Sequence, residues 1–284
     1  MARLDTVIFP VAGMGTRMLP ATKVTPKELL PVYDTPLLQF AVEEALAAGA
    51  KRLVMVSHPS KSAIEDYFAP ADALEDKLRG KGKYAIADAL AATAMPEGVE
   101  LVFVMQPEPL GLGHAVLCGA DDALDGPVGV ILPDDLILGS PALAEMAAAF
   151  DPESMKSLIA AQPVPYEKVS SYGIFDCDAD DADADAVLAA RGFVEKPRPE
   201  DAPSRLAAVG RYVLAPEVFD VLRSTEPGAG GEIQLTDAIA TLGKINAFRY
   251  SGTRYDCGSK DGLVDATLAV QEDRRQRHLR VAAE

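Results

Sequence analysis

The stretch TVIFPVAGMGTRM, residues 6–18, joins an apolar run to a loop that carries Gly13, Gly15 and Arg17. The apolar run predicts a buried strand over residues 7–9. Glycines allow positive φ and let a ligand approach the backbone, and successive free N–H groups in such a loop bind anions. The stretch therefore predicts an anion-binding loop at the end of the first strand.

Cations cluster in and after this loop. Arg17 is followed by Lys23 and by Lys27, the latter within PKELLP at residues 26–31. Arg matches phosphate oxygens as a planar fork, and Lys supplies a compact charge. A plain turn after a buried strand has no need of clustered cations, so we interpret the loop as a polyphosphate site. The dinucleotide fingerprint fits worse, because its third glycine is replaced by Met18, and the P-loop pattern has no match.

The overall composition excludes several classes of partner. Acidic residues outnumber basic ones by 43 to 27, which gives a formal net charge of −16. Sequence-independent binding to nucleic acid or to anionic membranes requires basic surface, so we expect neither partner. The widely spaced Cys118, Cys177 and Cys257 predict reduced thiols. No run approaches the roughly 20 apolar residues of a membrane span, and we expect a cytoplasmic protein.

Short apolar runs alternate with helical patterns through the first half of the chain. The predicted strands cover residues 7–9, 52–57, 101–105 and 128–132, and the predicted helices cover residues 37–49, 62–68 and 115–124. This alternation predicts βαβ units and a mainly parallel sheet, with ligands at the carboxyl ends of the strands. Residues 72–92 predict a solvated helical excursion.

The second half predicts short strands that wall off a pocket, in a mixed or antiparallel arrangement. These strands cover residues 158–161, 172–175, 192–194 and 209–214. The acidic run 176–185 is either a calcium loop, although it lacks the Gly and distal Glu of an EF-hand, or a solvated hairpin tip, which we favour. Residues 260–280 predict a long helix that packs on its own subunit or on another one.

Two motifs follow predicted strands of the first half. Gln106 and Gly111 lie in QPEPLGLGHA, where the Gln amide suits the edge of a pyrimidine base or caps a loop. We expect His114 of the same motif to pack within its helix. Asp134 and Asp135, in LPDD, are paired carboxylates that suit a magnesium–nucleotide site or begin a turn.

Two further motifs lie in the second half. Glu195 and Lys196 leave a predicted strand at adjacent positions, so we expect their side chains to point in opposite directions. A Glu accepts hydrogen bonds from hydroxyls and a Lys holds a phosphate, although a surface ion pair would use the same residues. Asp256, in RYDCG, is either a turn residue or a second acid at the site.

The segments GMGTR at residues 13–17 and PKELLP at residues 26–31 resemble the signature of the sugar-1-phosphate nucleotidylyltransferases. VEKP at residues 194–197 and SSYG at residues 170–173 resemble the sugar-phosphate motifs of that family, and GEIQLTDAI at residues 231–239 resembles its uridylyl-transferring branch. The likeness recurs along nearly the whole chain.

The resemblance implies an α/β fold of the Rossmann-like three-layer α/β/α type. The expected central sheet is mixed and mostly parallel, with extra β elements over the sugar pocket. The expected nucleotidyltransferase domain covers residues 1–258, with a nucleotide-binding half over 1–135 and a sugar-phosphate half over 136–258. Residues 259–284 would form a C-terminal helix available for subunit contact.

The resemblance also implies roles residue by residue. The nucleotide would lie against Ala12, Gly13, Gly15, Thr16, Glu28, Gln106, Gly111 and Asp135, and the sugar would lie against Gly173, Glu195 and Gly210. Magnesium would bind to Asp134 and Asp256. The catalytic residues would be Arg17, Lys27, Lys196 and Asp134.

The implied substrates are UTP and glucose 1-phosphate, the implied cofactor is Mg²⁺, and we expect a homo-oligomer, either a dimer or a tetramer. Thymidylyl or cytidylyl transfer to another sugar 1-phosphate is the alternative within the family. A non-catalytic regulator that binds nucleotide sugars is the alternative outside it.

Overall fold

The structure of the protein, a computed structural model, describes residues 3–178 and 186–281. The strands in these ranges are β1 (Thr6–Pro10), β2 (Pro31–Val32), β3 (Thr35–Pro36), β4 (Arg52–Ser57), β5 (Glu100–Met105), β6 (Val128–Ile131), β7 (Asp135–Leu138), β8 (Ser157–Pro163), β9 (Gly173–Asp176), β10 (Val187–Ala189), β11 (Gly192–Glu195), β12 (Leu206–Leu214), β13 (Ile245–Arg249) and β14 (Thr253–Asp256). The helices are α1 (Leu37–Ala47), α2 (Ser62–Phe68), α3 (Asp72–Gly80), α4 (Tyr84–Ala91), α5 (Leu112–Cys118), α6 (Ala142–Ala149), α7 (Val218–Ser224), α8 (Leu235–Leu242) and α9 (Lys260–Val281).

The central sheet has the strand order β10-β13-β8-β12-β6-β1-β4-β5, and the paired strands β9 and β11 join it beside β12. β1 runs parallel to β4 and β6, and β4 runs parallel to β5. β12 lies antiparallel between β6 and β8. The predicted mixed, mostly parallel sheet is therefore confirmed.

Two apolar layers cover the faces of this sheet. In β1, Val7 and Phe9 point into a cluster with Leu38 of α1. Ile8 points to the other face, into a cluster with Val116 of α5. Successive side chains of a strand alternate between its faces, so a strand that is apolar on both must be covered by helices on both. The three-layer α/β/α prediction is confirmed.

Several boundaries differ from those predicted. The helix expected over residues 115–124 begins earlier and ends at Cys118, after which a short 3₁₀ turn spans Ala120–Asp122. Between them Gly119 packs against β1 so closely that an added Cβ would lie 3.1 Å from Ile8 Cδ1. The excursion over residues 72–92 is two helices, α3 and α4, and α3 buries none of its residues.

The acidic run at residues 176–185 lies largely outside the described residues, since 179–185 are not described. Its first part is described, and there Arg191 forms ion pairs with Asp176 and Asp178 at N···O distances of 2.6 and 2.8 Å.

The C-terminal helix α9 packs on its own subunit through one face. Ala266 and Val270 are buried in a cluster with Leu136 of β7. Val264 and Leu268, four residues apart on the same helix, are each 58% exposed. Within residues 3–178 and 186–281, no helix combines the length and the apolar composition that crossing a membrane requires.

A buried ion pair joins β12 to α1. The side chain of Arg211 is 1% exposed, and its Nη2 lies 2.8 Å from Glu44 Oε2. Arg211 Nη2 also donates to the carbonyl oxygen of Asp135 at 2.6 Å, and Nη1 donates to that of Leu132 at 3.1 Å. The guanidinium thus holds the segment that leaves β6.

Replacing Arg211 with Met should lower the free energy of unfolding by about 3–5 kcal/mol, because Glu44 would keep a buried charge without its partner. Urea denaturation measures this loss, and the double variant Arg211→Met, Glu44→Leu should recover part of it. The control is Arg223→Ala in the exposed pair with Asp220, where we expect a change below about 1 kcal/mol. A similarly small loss for Arg211→Met would contradict the assignment.

Candidate active site

The loops that follow β1, β5 and β6 lie at one edge of the sheet and enclose a cavity of about 390 Å³. Its lining includes Ala12, Gly13, Gln106, Gly111 and Asp134. These residues come from three separate loops, and the parallel strands bring them together because their carboxyl ends share an edge. We call this space the N-terminal cavity.

A second cavity, of about 720 Å³, lies beside the first and is called the central cavity. The predicted site residues in its lining are Arg17, Asp134, Asp135, Gly173, Glu195, Lys196, Gly210 and Asp256. Leu112, Leu132 and Asp134 line both cavities. The two spaces therefore meet at Asp134.

An ion pair marks this junction. Lys27 Nζ lies 2.6 Å from Asp134 Oδ2, and Arg17 Nη2 lies 3.5 Å from the same oxygen. Burial alone would lower the pKa of Lys27, but the carboxylates of Asp134 and Glu28 outweigh it and raise that pKa above its ordinary value. Burial likewise opposes ionisation of Asp134, yet Lys27 and Arg17 hold its pKa below the ordinary value. Both groups of the pair are therefore charged at neutral pH.

Three residues of the first loop region lie outside both cavities. Gly15, with φ 64°, opens the 3₁₀ turn that spans Thr16–Met18, and neither Gly15 nor Thr16 is in the lining of either space. Lys23 is exposed and also lines neither of them. Of the clustered cations, the fold brings Arg17 and Lys27 to the junction and leaves Lys23 aside.

Glu28 lies behind the loop rather than in a cavity. Its carboxylate is 1% exposed and accepts hydrogen bonds from Lys61 Nζ at 2.8 and 3.1 Å. Lys61 Nζ also donates to the carbonyl oxygen of Val11 at 2.6 Å. Burial raises the pKa of Glu28 and lowers that of Lys61. Lys61 therefore links the loop that follows β1, through Val11, to the segment that carries Lys27, through Glu28.

The sequence reasoning missed Lys61, and its position in the chain was the available signal. Lys61 ends the 3₁₀ turn Pro59–Lys61, which directly follows β4. A lysine just beyond the carboxyl end of a parallel strand lies at the same edge as the other loops. This position after β4 would have been enough to predict that Lys61 lies near the site.

Asp135 faces a different set of partners from Asp134. Its Oδ1 accepts a hydrogen bond from Arg254 Nε at 2.6 Å, and its Oδ2 accepts one from the main-chain N–H of Gly210 at 3.0 Å. Burial raises the pKa of Asp135, although Arg254 beside it favours the carboxylate. A Cβ at Gly210 would lie 2.8 Å from Asp135 Oδ2 and 2.7 Å from Leu132 Cβ. The missing side chain at Gly210 is thus explained by the close approach of Asp135.

Arg254 is a second cation that the sequence reasoning missed. Its Nη1 donates to the hydroxyl oxygen of Tyr172 at 3.3 Å, and its guanidinium lies 5.3 Å from the centre of the Tyr172 ring. Arg254 lines the central cavity and connects Asp135 to the segment that precedes Gly173.

Asp256 reaches the site through strand pairing. β14 runs antiparallel to β7 and places Asp256 opposite Asp135. The next residue, Cys257, donates its N–H to the carbonyl oxygen of Asp134 at 2.8 Å. Residues from the start of β7 and the end of β14 are thereby held side by side in the lining of the central cavity, although more than a hundred positions separate them in the chain.

The expectation that Glu195 and Lys196 point in opposite directions is wrong. Both line the central cavity, and Lys196 Nζ lies 3.4 Å from Glu195 Oε1. β11 ends at Glu195 and Lys196 has a φ of 47°, so the alternation of a strand no longer applies. A positive φ at a residue other than glycine is strained, and here it brings the lysine to the same side as its neighbour.

Comparisons with known proteins agree with this fold. The sequence model described as "Nucleotidyl transferase" matches residues 7–273. The UTP–glucose-1-phosphate uridylyltransferase of Pseudomonas aeruginosa is 42% identical over 274 residues, which cover 94% of this chain and 95% of the relative.

Two solved structures show the same likeness in three dimensions. The UTP-bound UGPase from Acinetobacter baumannii superposes with a TM-score of 0.86 at 39% identity, covering 94% of this chain and 93% of that one. A UDP-glucose pyrophosphorylase complexed with UDP-glucose superposes with a TM-score of 0.81 at 38% identity, covering 95% and 99%. Similarity of this extent in both sequence and structure shows that the chain belongs to the nucleotidyl transferase family.

Proposed function

We propose that the chain transfers the uridylyl group of UTP to glucose 1-phosphate, which yields UDP-glucose and pyrophosphate. The observation that carries this proposal is that two cavities meet at Asp134. Arg17 lines one cavity and Lys27 lines the other, and both cations contact the Asp134 carboxylate. The names of the relatives and of the solved structures, which mention UTP, glucose 1-phosphate and UDP-glucose, support the same reaction.

The proposed reaction is an in-line displacement at the α-phosphorus of UTP. A phosphate oxygen of glucose 1-phosphate forms the new P–O bond, and the bond from the α-phosphorus to the bridging oxygen breaks as pyrophosphate leaves. The attacking oxygen is already anionic at neutral pH, so no general base is needed. The chain contributes position and neutralisation of charge.

The cations divide between the two anionic substrates. Arg17 and Lys27, which converge on Asp134, would hold the triphosphate. Lys196 would hold the attacking phosphate, and Glu195 beside it would accept hydrogen bonds from the sugar hydroxyls. With a net charge of −16, the protein repels such substrates at long range, so these local charges must capture them.

Magnesium fits the donors at this junction. Mg²⁺ prefers oxygen ligands and takes one or two carboxylates, filling its octahedron with water and phosphate oxygens. Asp134 and Asp256 would supply the carboxylates, and in the described residues no group of three or more His, Cys, Asp or Glu side chains is arranged to bind a metal. The two carboxylates would form only part of the magnesium site, and phosphate oxygens of the bound nucleotide would complete it. Bound there, the metal would offset negative charge on the phosphates.

We also propose that residues 1–135 bind the nucleotide and residues 136–258 bind the sugar phosphate. The chain would form a dimer or tetramer, because Val264 and Leu268 leave an apolar strip exposed on α9. Analytical ultracentrifugation of the full chain decides between these assemblies and a monomer.

Pyrophosphate release tests the function directly, with UTP, dTTP and CTP crossed against several sugar 1-phosphates. We expect the combination of UTP and glucose 1-phosphate to give the highest kcat/KM. Formation of UDP-glucose should be verified by mass spectrometry. A folded protein that releases no pyrophosphate from UTP with any sugar 1-phosphate would refute the proposal.

Lys196→Ala should lower kcat/KM by roughly a hundredfold or more, the scale of losing one charge stabiliser in a preorganised site. The matched control is Arg198→Ala, a cation two positions later that pairs with Asp201 and does not line the cavity. We expect the control to retain near-normal steady-state kinetics. Near-normal kinetics for Lys196→Ala would remove this lysine from the mechanism.

Asp134→Asn should lower kcat by roughly a hundredfold and shift the magnesium titration of activity to higher concentration, because Asn is a weaker, neutral oxygen ligand. Asp121→Asn serves as the control, since Asp121 is exposed and lines neither cavity. Activity measured against magnesium concentration would show the difference. The metal-binding role fails if the titration midpoint of Asp134→Asn stays that of the unmodified protein.

A further inference from the structure

The side-chain amide of Gln106 has a defined orientation at the edge of the N-terminal cavity. Gln106 Nε2 lies 3.2 Å from the carbonyl oxygen of Gly111 and 3.0 Å from His114 Nδ1. A carbonyl oxygen can only accept, so the atom that faces Gly111 must be the NH₂ group. The nitrogen then has one hydrogen left for His114 Nδ1, which must accept it.

This arrangement assigns a tautomer to the His114 ring. A ring nitrogen that accepts a hydrogen bond is unprotonated, so the neutral ring carries its hydrogen on Nε2. Cys118 Sγ, one turn later on α5, lies 3.8 Å from Nε2 and 3.9 Å from Nδ1, so the thiol does not favour either ring nitrogen. The helix is anchored at its first turn, where Gly113 donates its N–H to the carbonyl oxygen of Ile233 at 2.8 Å. His114 is therefore held in place by its helix.

With both amide hydrogens engaged, Oε1 is the polar atom that Gln106 can offer to a ligand. Oε1 makes no hydrogen bond within the described part of the chain, and Gln106 lines the N-terminal cavity. Gly111, with φ 97°, lies in the same lining and has no side chain to intervene. The cavity therefore presents an acceptor at this position.

We infer that His114 is a specificity-determining positioning residue, which holds Gln106 as a hydrogen-bond acceptor and so favours uracil over cytosine. Uracil carries a hydrogen on N3 and donates it to an acceptor, whereas N3 of cytosine is itself an acceptor and would face Oε1 unfavourably. Thymine shares the N3–H of uracil, so this device does not separate UTP from dTTP. The inference deepens the proposed function and rests on it.

The test compares UTP with CTP in the full-length protein, both as kcat/KM for pyrophosphate release with glucose 1-phosphate and as Kd by calorimetry. His114→Leu removes the acceptor for the amide hydrogen. We expect the UTP-to-CTP preference to fall about tenfold, the scale of releasing one orienting hydrogen bond at a base-reading group. The change should appear mainly in KM and Kd for UTP.

His114→Asn is the conservative variant, because its Oδ1 can replace Nδ1 as the acceptor, and we expect it to restore most of the preference. Cys118→Ala is the control on the same helix, which removes the thiol near the ring without touching Gln106, and it should leave the preference unchanged. An unchanged preference in His114→Leu overturns the inference, as does a loss in His114→Asn equal to that in His114→Leu.

The binding measurement separates this inference from the proposed reaction. If the unmodified protein binds UTP more tightly than CTP but releases no pyrophosphate, the proposed reaction fails and the base preference can still be followed through the variants. If the unmodified protein binds UTP and CTP equally, the role assigned to His114 is refuted even where uridylyl transfer is observed.

Discussion

The ion pair between Lys27 and Asp134 is the contact on which the site depends. It joins side chains 107 positions apart in the chain at an N···O distance of 2.6 Å. The pair forms because β1 and β6 lie side by side and parallel, so that the loops leaving both strands meet at one edge. A cation and an acid from two different loops thereby share one place, where two cavities meet.

Further buried charges hold this junction from behind. Lys61 binds Glu28 beneath the first loop, and Arg211 binds Glu44 beneath the segment that leaves β6. Such groups lose hydration when they are buried, and removing one partner of a pair is strongly destabilising. They persist here because each also bonds to main-chain carbonyls, Lys61 to Val11 and Arg211 to Leu132. Charged groups that are fixed before a reaction begins lower the cost of organising charge around a transition state.

The sequence predicted the elements whose pattern is local. The apolar runs of β1, β4, β5 and β6 and the helices between them follow from periodicity, and the direction of the sheet follows from their alternation. β7, β10, β13 and β14 did not stand out. β7 and β10 have four and three residues, and β13 and β14, with the sequences INAFR and TRYD, mix polar with apolar residues. The predicted direction of the Lys196 side chain was also wrong, because the backbone leaves the strand conformation there, with a φ of 47°.

By itself, the sequence determined the fold class, the family likeness and the presence of residue types suited to phosphate, because glycine loops, cations and acids carry their chemistry wherever the chain places them. Only the tertiary structure decided which of them meet. It separated Asp134, at the junction, from Asp135, bound to Arg254, and it put Glu28 behind the loop with Lys61. Those outcomes depend on distances between segments far apart in the chain, and a linear pattern does not contain such distances.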